Sequence, residues 1–439
     1  MSKQQSNEIA EEIQKMLDTY AQEVNQWVKF SQIESPLSAS RFVQVLVLGW
    51  LKNAQASLNA LAHSAGDLKL EISASALHER MDKSALLLLA GVLNLALEDL
   101  RKPCPLPLKK LKEFAGIYIT DSSQIALPSA LCQIFKGNQG NAMLKLQVSW
   151  DYLNGNIAAL ELEDGKSPDP NCTLHIQTAQ KNSLQLFDLG YFKQEYLRDI
   201  AAKEAYFVSR YQAQTGLYYQ DAKGEIQRFD LVACLKRLKT DEAEFSLFLG
   251  ERVHCPLRLL VRRLSPKAKA ARIRKAKQKA RKAGQTCSEN YLYLLGWAIL
   301  LTNLPQAQWT LAQVFDLYPL RFQIEWLFRI WKDQLSLDKI GDWRVERVLC
   351  QLYAHFLAAL LCHLLTAGWR WGDFEYSFAK SVMIIQESIK DLMRLFAAPT
   401  RDFTTWLERL EQDFQQFARK NKRRKSPSTL QTIYNWDAS

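Results

Sequence analysis

Residues Leu184–Ser209 read LQLFDLGYFKQEYLRDIAAKEAYFVS, and this stretch decides the fold class. Leu184–Phe187 is a short apolar run that stops at the turn-forming Asp188–Leu189–Gly190. Lys193–Lys203 then carries Leu197 and Ile200 at helical spacing, and Tyr206–Ser209 is a second strand-like run. Upstream, Phe114–Ile119, Met143–Trp150 and Ile157–Leu162 are β-rich runs, separated by turn material at Gly137–Asn138–Gln139–Gly140 and Asn154–Gly155. A meander of three strands followed by strands alternating with helices is an α/β order. It predicts a mixed sheet flanked by helices on both faces.

Working outward, residues 1–105 are expected to be all-helical. Apolar periodicity covers Ile9–Val28, Phe42–Ala62 and Ser84–Leu100, and prolines at 103, 105 and 107 close the segment. Ser73–Arg80 and Ser84–Leu97 have the size of a helix-turn-helix that would bind DNA, and equally that of a plain bundle pair. Residues 106–210 form the first part of the α/β core. Residues 211–290 read as a β-rich insertion, with strand-like pieces at Leu217–Tyr219, Leu231–Leu235, Phe245–Leu249 and Arg258–Val261 and a basic helix after Pro266. Residues 291–340 return to the core through a strand at Trp297–Thr302, a helix at Thr310–Leu317 and a longer helix from Pro319 to about Leu335. Residues 341–439 are expected to be helical, beginning at Val345–Thr366, with a basic tail at 419–425.

The composition is that of a globular chain: 439 residues, 48 % hydrophobic and 23 % charged, which excludes wholesale disorder or a collagen-like rod. The net charge of +11 is local, because Arg262–Lys282 holds eleven Lys/Arg and no acid, leaving the remainder neutral. Clustered cations of this kind point to a polyanionic partner. Eight cysteines without a CxxC pair suggest a reducing, cytosolic compartment, and six histidines in no ligand spacing suggest core or surface positions rather than a metal site. The polar N-terminus and apolar runs such as Ala85–Leu97 and Phe356–Leu365, shorter than a bilayer requires, predict no membrane span.

Two carboxylates stand at expected strand ends, Asp121 after Gly116–Thr120 and Asp188 after Leu184–Phe187. Such a pair can share divalent cations, although a strand followed by Asp is also an ordinary way to begin a turn. A third group lies on the helix after Leu317. At about 100° per residue, Tyr318, Arg321, Glu325 and Lys332 fall at roughly 0°, −60°, −20° and −40°, with Arg329 near +20°. A lone carboxylate in a row of cations suits metal and phosphate binding. Arg321–Glu325 is also an i,i+4 pair of the kind that decorates solvent-exposed helices.

The spacing Tyr318-x2-Arg321-x3-Glu325-x6-Lys332 resembles the YREK signature of insertion-sequence transposases of the IS-four type. That resemblance covers about residues 73–366. It implies an RNase H-like core with an Asp-Asp-Glu triad, in which Asp121 and Asp188 look like the first and second aspartates and Glu325 the glutamate. The 137 residues from Asp188 to Glu325 accommodate the family's β-rich insertion. Trp297, in Gly–Trp–Ala–Ile–Leu–Leu–Thr–Asn, resembles the tryptophan that stacks on a base flipped from the DNA end. Ser122–Ser123 departs from the Gly–Thr that often follows the first aspartate.

The resemblance implies that Asp121, Asp188 and Glu325 hold two Mg²⁺ ions, with Mn²⁺ as a substitute, for phosphoryl transfer at the ends of a mobile element. Cut-and-paste through hairpin ends is the expected route. Tyr318, Arg321, Arg329, Lys332 and Trp297 would contact DNA, joined by Arg272, Arg274, Lys275, Lys277 and Lys279 of the basic helix. The expected partners are double-stranded DNA at the element ends, target DNA and a second copy of the chain assembled on DNA, in the bacterial cytosol and associated with the nucleoid. Two other readings keep much of this pattern: a structure-specific nuclease on the same fold, and a catalytically silent transposase descendant that only binds DNA.

Overall fold

The computed structural model describes residues 3–31, 36–99, 109–341, 344–370, 376–398, 400, 402–420 and 428–438. The chain divides into two compact units, one built from Met1–Pro107, Ser122–Ser167 and Gln323–Ser426, the other from Leu108–Asp121, Pro168–Phe322 and Pro427–Ser439. Ten strands supply the β-structure: β1 (Ile117–Ala126), β2 (Met143–Asp151), β3 (Asn156–Asp164), β4 (Leu184–Phe187), β5 (Tyr206–Arg210), β6 (Leu217–Gln220), β7 (Ile226–Arg228), β8 (Glu242–Leu249), β9 (Cys255–Arg263) and β10 (Trp297–Thr302). The result is the expected mixed α/β architecture, with large-sheet strands and many helices.

In the second unit the first half of β1 begins the order β1-β4-β5-β10-β9-β8-β6-β7. β4 is parallel to both β1 and β5, with Leu184 opposite Ile117 and Tyr206. All four β4 residues are buried, as a central parallel strand covered on both faces requires. The β4-to-β5 connection must return the chain to the same end of the sheet, and the helix Gln194–Ala202 does so, burying Leu197 and Ile200. β10 then runs antiparallel to β5 on one side and β9 on the other. The strands after Tyr211 therefore extend this sheet through the β9–β10 ladder, and β8 pairs along its full length with Cys255–Arg262 of β9.

One expected strand is a helix. Leu231–Arg237 is capped by Asp230, whose carboxylate accepts from the Ala233 N–H at 2.9 Å, and it buries Leu231 and Leu235 one turn apart. The apolar run LVACL fits either period, and the cap decides between them.

In the first unit, β2 and β3 form a hairpin whose turn ends at Gly155, with φ of +83°. Gly155 N–H donates to the Asp151 carbonyl at 2.7 Å, and the left-handed backbone there suits glycine. β3 packs on the helices Lys83–Asp99 and Val345–Arg370. Those two helices pack on each other, and Val345–Arg370 also packs on Ala39–Lys52. The expected helix Phe42–Ala62 is broken, because Asn53 turns extended and a second helix restarts at Leu58 under a Ser57 cap. Trp50 Nε1 secures the break by donating to the Ala56 carbonyl at 3.2 Å.

Phe356–Leu365 is part of a longer apolar helical stretch, Val345–Thr366. By length and composition it is apolar enough to cross a membrane, yet 89 % of its apolar window is buried within the protein. His355 and His363 on this helix are core residues, and His363 lies against Trp331 and Phe378. The seven described cysteines form no disulfide.

Candidate active site

Register places the two aspartates side by side. Thr120 pairs with Phe187 at the last step of the β1–β4 ladder, so Asp121 and Asp188 are the next residues on adjacent parallel strands. Asp121 is not at a strand end as expected. β1 continues to Ala126, and it is β4 that stops after Phe187. Asp188 leaves the sheet by accepting from the Leu189 N–H at 2.7 Å, which caps a short 3-10 turn, Leu189–Tyr191.

Arg210, the last residue of β5, donates through its guanidinium to the Asp188 carboxylate. Burial alone would raise the Asp188 pKa. The hydrogen bond and charge of Arg210, the Leu189 N–H and the charge of Arg321 outweigh it and hold the carboxyl below its usual range. Arg321 is only 4 % exposed, and it donates to Asp121 at 3.4 Å. Tyr318 is buried beside them, its hydroxyl 3.4 Å from the Phe187 carbonyl. Burial pushes its phenol above the ordinary value, against the pull of Arg210 and Arg321. Two carboxylates, two guanidiniums and a phenol thus meet where β1, β4 and β5 lie side by side.

The signature segment is not one continuous α-helix. Leu311–Leu317 is α-helical, Tyr318–Phe322 is 3-10, and Gln323–Asp333 is α-helical again. In a 3-10 segment residues three apart eclipse one another, so Tyr318 and Arg321 are stacked, and both are buried. The angles expected for them relative to Glu325 on a single helix therefore do not apply. Glu325 lies in the other unit, exposed on Gln323–Asp333, whose inner side buries Ile324, Leu327, Phe328 and Trp331. Lys332 Nζ donates to the Gln124 carbonyl of β1 at 2.9 Å, and the guanidinium of exposed Arg329 lies 4.6 Å over the Trp326 ring.

Trp297 opens β10 and is 3 % exposed, with the guanidinium of its cross-strand partner Arg263 lying 4.5 Å over the ring. Arg272 reaches back from the basic helix Pro266–Lys282 and donates to the Trp297 carbonyl at 3.0 Å. That helix buries no residue, and Arg274, Lys275, Lys277 and Lys279 are all exposed. Ser265 caps it by accepting from the Ala268 N–H at 3.3 Å, and Pro266 sits in its first turn, where no donor is needed.

Among the described residues no group of three His, Cys, Asp or Glu side chains is placed to hold a metal ion. The chemistry of the Asp121–Asp188 pair still suits Mg²⁺, which takes hard oxygen ligands and is commonly bound through one or two carboxylates. Each of the two carboxylates is engaged by an arginine. Arg210 was not singled out from the sequence. Its signal is positional: it ends the strand that neighbours β4, two steps beyond the Leu186–Val208 pair, level with Asp188.

Residues 112–361 match the family model described as "Transposase DDE domain". A transposase for insertion sequence element IS231F from Bacillus thuringiensis subsp. israelensis is 27 % identical over 378 residues, covering 80 % of this chain and 79 % of its own. The transposase for IS1151 from Clostridium perfringens is 26 % identical over 269 residues, covering 56 % of each chain. A putative transposase, InsL, for IS186A from Escherichia coli strain K12 is 29 % identical over 231 residues, 51 % of this chain and 60 % of its own. With more than half of its length matched by that family model, the chain belongs to the DDE transposases of insertion sequences, of the IS-four type.

Proposed function

We propose that the protein cuts and joins the DNA ends of its own insertion element through an RNase H-like core in which Asp121, Asp188 and Glu325 are the acidic triad. The observation that carries this reading is the in-register placement of Asp121 and Asp188 on adjacent parallel strands, with Arg210, Arg321 and Tyr318 against them. Two divalent cations, Mg²⁺ or Mn²⁺, held by the three carboxylates would supply Lewis acidity for in-line attack at a phosphodiester.

The side chains account for the rest. Arg210 and Arg321 bear the positive charge that scissile-strand phosphates need, and they balance the aspartates while no DNA is present. Tyr318 stays protonated, because burial raises its pKa, and so presents an O–H donor rather than a phenolate. Lys332 and Arg329 flank Glu325 with further cations. Arg272, Arg274, Lys275, Lys277 and Lys279 would track the DNA backbone, and the N-terminal helices would add to end recognition. Processing through hairpin ends, with Trp297 receiving a displaced base, requires Arg263 to leave the indole face first. The protein would act as a homodimer pairing two element ends, in the cytosol.

The test incubates the protein with DNA carrying its element ends and Mg²⁺, beside an Asp188→Ala control, and resolves nicked, hairpin and joined products. Metal-dependent nicking, hairpins and joining, all lost in the control, are the expected result. Tight binding without cleavage in Mg²⁺ or Mn²⁺ would overturn it in favour of a silent DNA-binding descendant, and nicking without joining would favour a nuclease.

A further inference from the structure

We infer that the helix Thr429–Ala438 is a clasp that sets the 3-10 segment Tyr318–Phe322 against the paired aspartates, with Trp436 a positioning residue for Tyr318 and Arg321. This deepens the proposed function and rests on Tyr318 and Arg321 serving the reaction.

The chain leaves the second unit at Phe322 and re-enters it at Pro427. The helix that follows has ten residues, a length that is marginal in water without a docking face. It starts under a capping box, in which the Gln431 N–H donates to Ser428 Oγ at 3.2 Å and the Ser428 N–H donates to Gln431 Oε1 at 2.7 Å. It buries Ile433 completely and packs on both the helix Leu311–Leu317 and the 3-10 segment. Half-buried Trp436 meets Trp309 edge-on, with ring centroids 6.3 Å apart. Trp309 is a fixed point: it stacks on Phe114, ahead of β1, at 4.9 Å, and its carbonyl accepts from Arg258 at 3.0 Å.

The 3-10 segment needs outside support. Five residues exceed the usual length of such a run, whose hydrogen bonds are poorly aligned. Tyr318 and Arg321 bond to the Phe187 carbonyl and the Asp121 carboxylate at 3.4 Å each, too long to hold the segment in place. It packs on β4 of the sheet, and Thr429–Ala438 supplies a further contact. Without that contact the segment can relax to α-helix, where residues three apart stand about 60° out of line instead of eclipsed. Tyr318 and Arg321 would then no longer face the aspartates together.

The test compares the full chain with its Trp436→Ala and Trp436→Phe variants by amide hydrogen exchange, without DNA or metal, and by Mg²⁺-dependent nicking of element-end DNA. Trp436→Ala should speed exchange across Leu311–Phe322 by up to about tenfold, the scale of one edge-on aromatic contact, and leave exchange in β8 and β9 unchanged. Its nicking rate at saturating DNA should fall by a similar factor, while affinity for the ends without divalent metal stays at the wild-type value. Trp436→Phe keeps a ring for Trp309 and should restore most of both. Unchanged exchange across Leu311–Phe322, equally faster exchange in β8 and β9, or wild-type nicking despite faster exchange would each overturn the clasp. Wild-type protein that nicks nothing would overturn the proposed function instead, and the exchange comparison, which needs no DNA, would still decide whether the helix holds the segment.

Discussion

The Arg210 guanidinium and the Asp188 carboxylate bond to each other from the ends of two adjacent parallel strands, β5 and β4. Neither residue is near the other in the chain, and only the β4-to-β5 crossover brings them level.

This pair gives acid stability a defined sign. Asp188 has a folded pKa below its unfolded value of about 3.9, so its contribution is complete above that value and is lost as pH falls through the folded pKa. Arg210→Ala should raise the Asp188 pKa, lower the melting temperature at neutral pH and flatten its fall below about pH 4. Melting curves across pH, with a carboxyl carbon titration of Asp188, measure both. A Asp188 pKa unchanged in Arg210→Ala would show that the pair is not coupled.

Two buried histidines act in a higher window. Burial lowers the pKa of His175 to about 4, with Lys193 adding to the shift, and burial lowers His355 to about 4 as well. Both sit below the unfolded value near 6.5, so the unfolded chain binds more protons between pH 6.5 and 4 and stability falls across that interval. At full titration the loss is on the order of 3 kcal/mol per histidine. His355→Gln should reduce the slope of melting temperature against pH in that interval, and an unchanged slope would mean that His355 titrates normally.

Loss of Glu325 should separate binding from chemistry. Glu325→Gln removes an exposed charge without touching the buried side of its helix, so folding and DNA affinity should change little while strand cleavage drops to background. Gel shifts and cleavage assays on the same preparation make the comparison. Cleavage at the wild-type rate would remove Glu325 from the triad.

Salt dependence tests the basic helix. If Pro266–Lys282 neutralises about six phosphates, log affinity against log salt should have a slope near −5. Replacing Arg274, Lys275, Lys277 and Lys279 together by Ala should make that slope shallower by about 3–4. An unaltered slope would take the helix out of the DNA interface.

Much of this molecule is readable from local patterns. β4 and β10 have the expected limits, because each is a compact apolar run between turn residues. Leu231–Leu235 misled because five apolar residues satisfy both periods and the choice falls to one capping carboxylate. The signature segment differs from the single helix expected, since a switch from 3-10 to α between Phe322 and Gln323 leaves no mark in spacing. Arg210 escaped because its meaning lies in strand neighbours rather than in sequence neighbours. The burial of Trp297 is likewise a cross-strand fact, set by Arg263 on β9.

The long excursion between β5 and β10 departs from β5 after Arg210 and returns with Leu300 of β10 as the cross-strand partner of that same residue, while the Tyr211 N–H donates to the Ile299 carbonyl at 3.1 Å. It is a detour whose two ends are fastened together. Lengthening, shortening or replacing its outer part moves neither anchor, so the paired aspartates are insulated from change in the segment that carries the basic helix. The outer part of that segment, basic helix included, can therefore change in length or charge without displacing the acids.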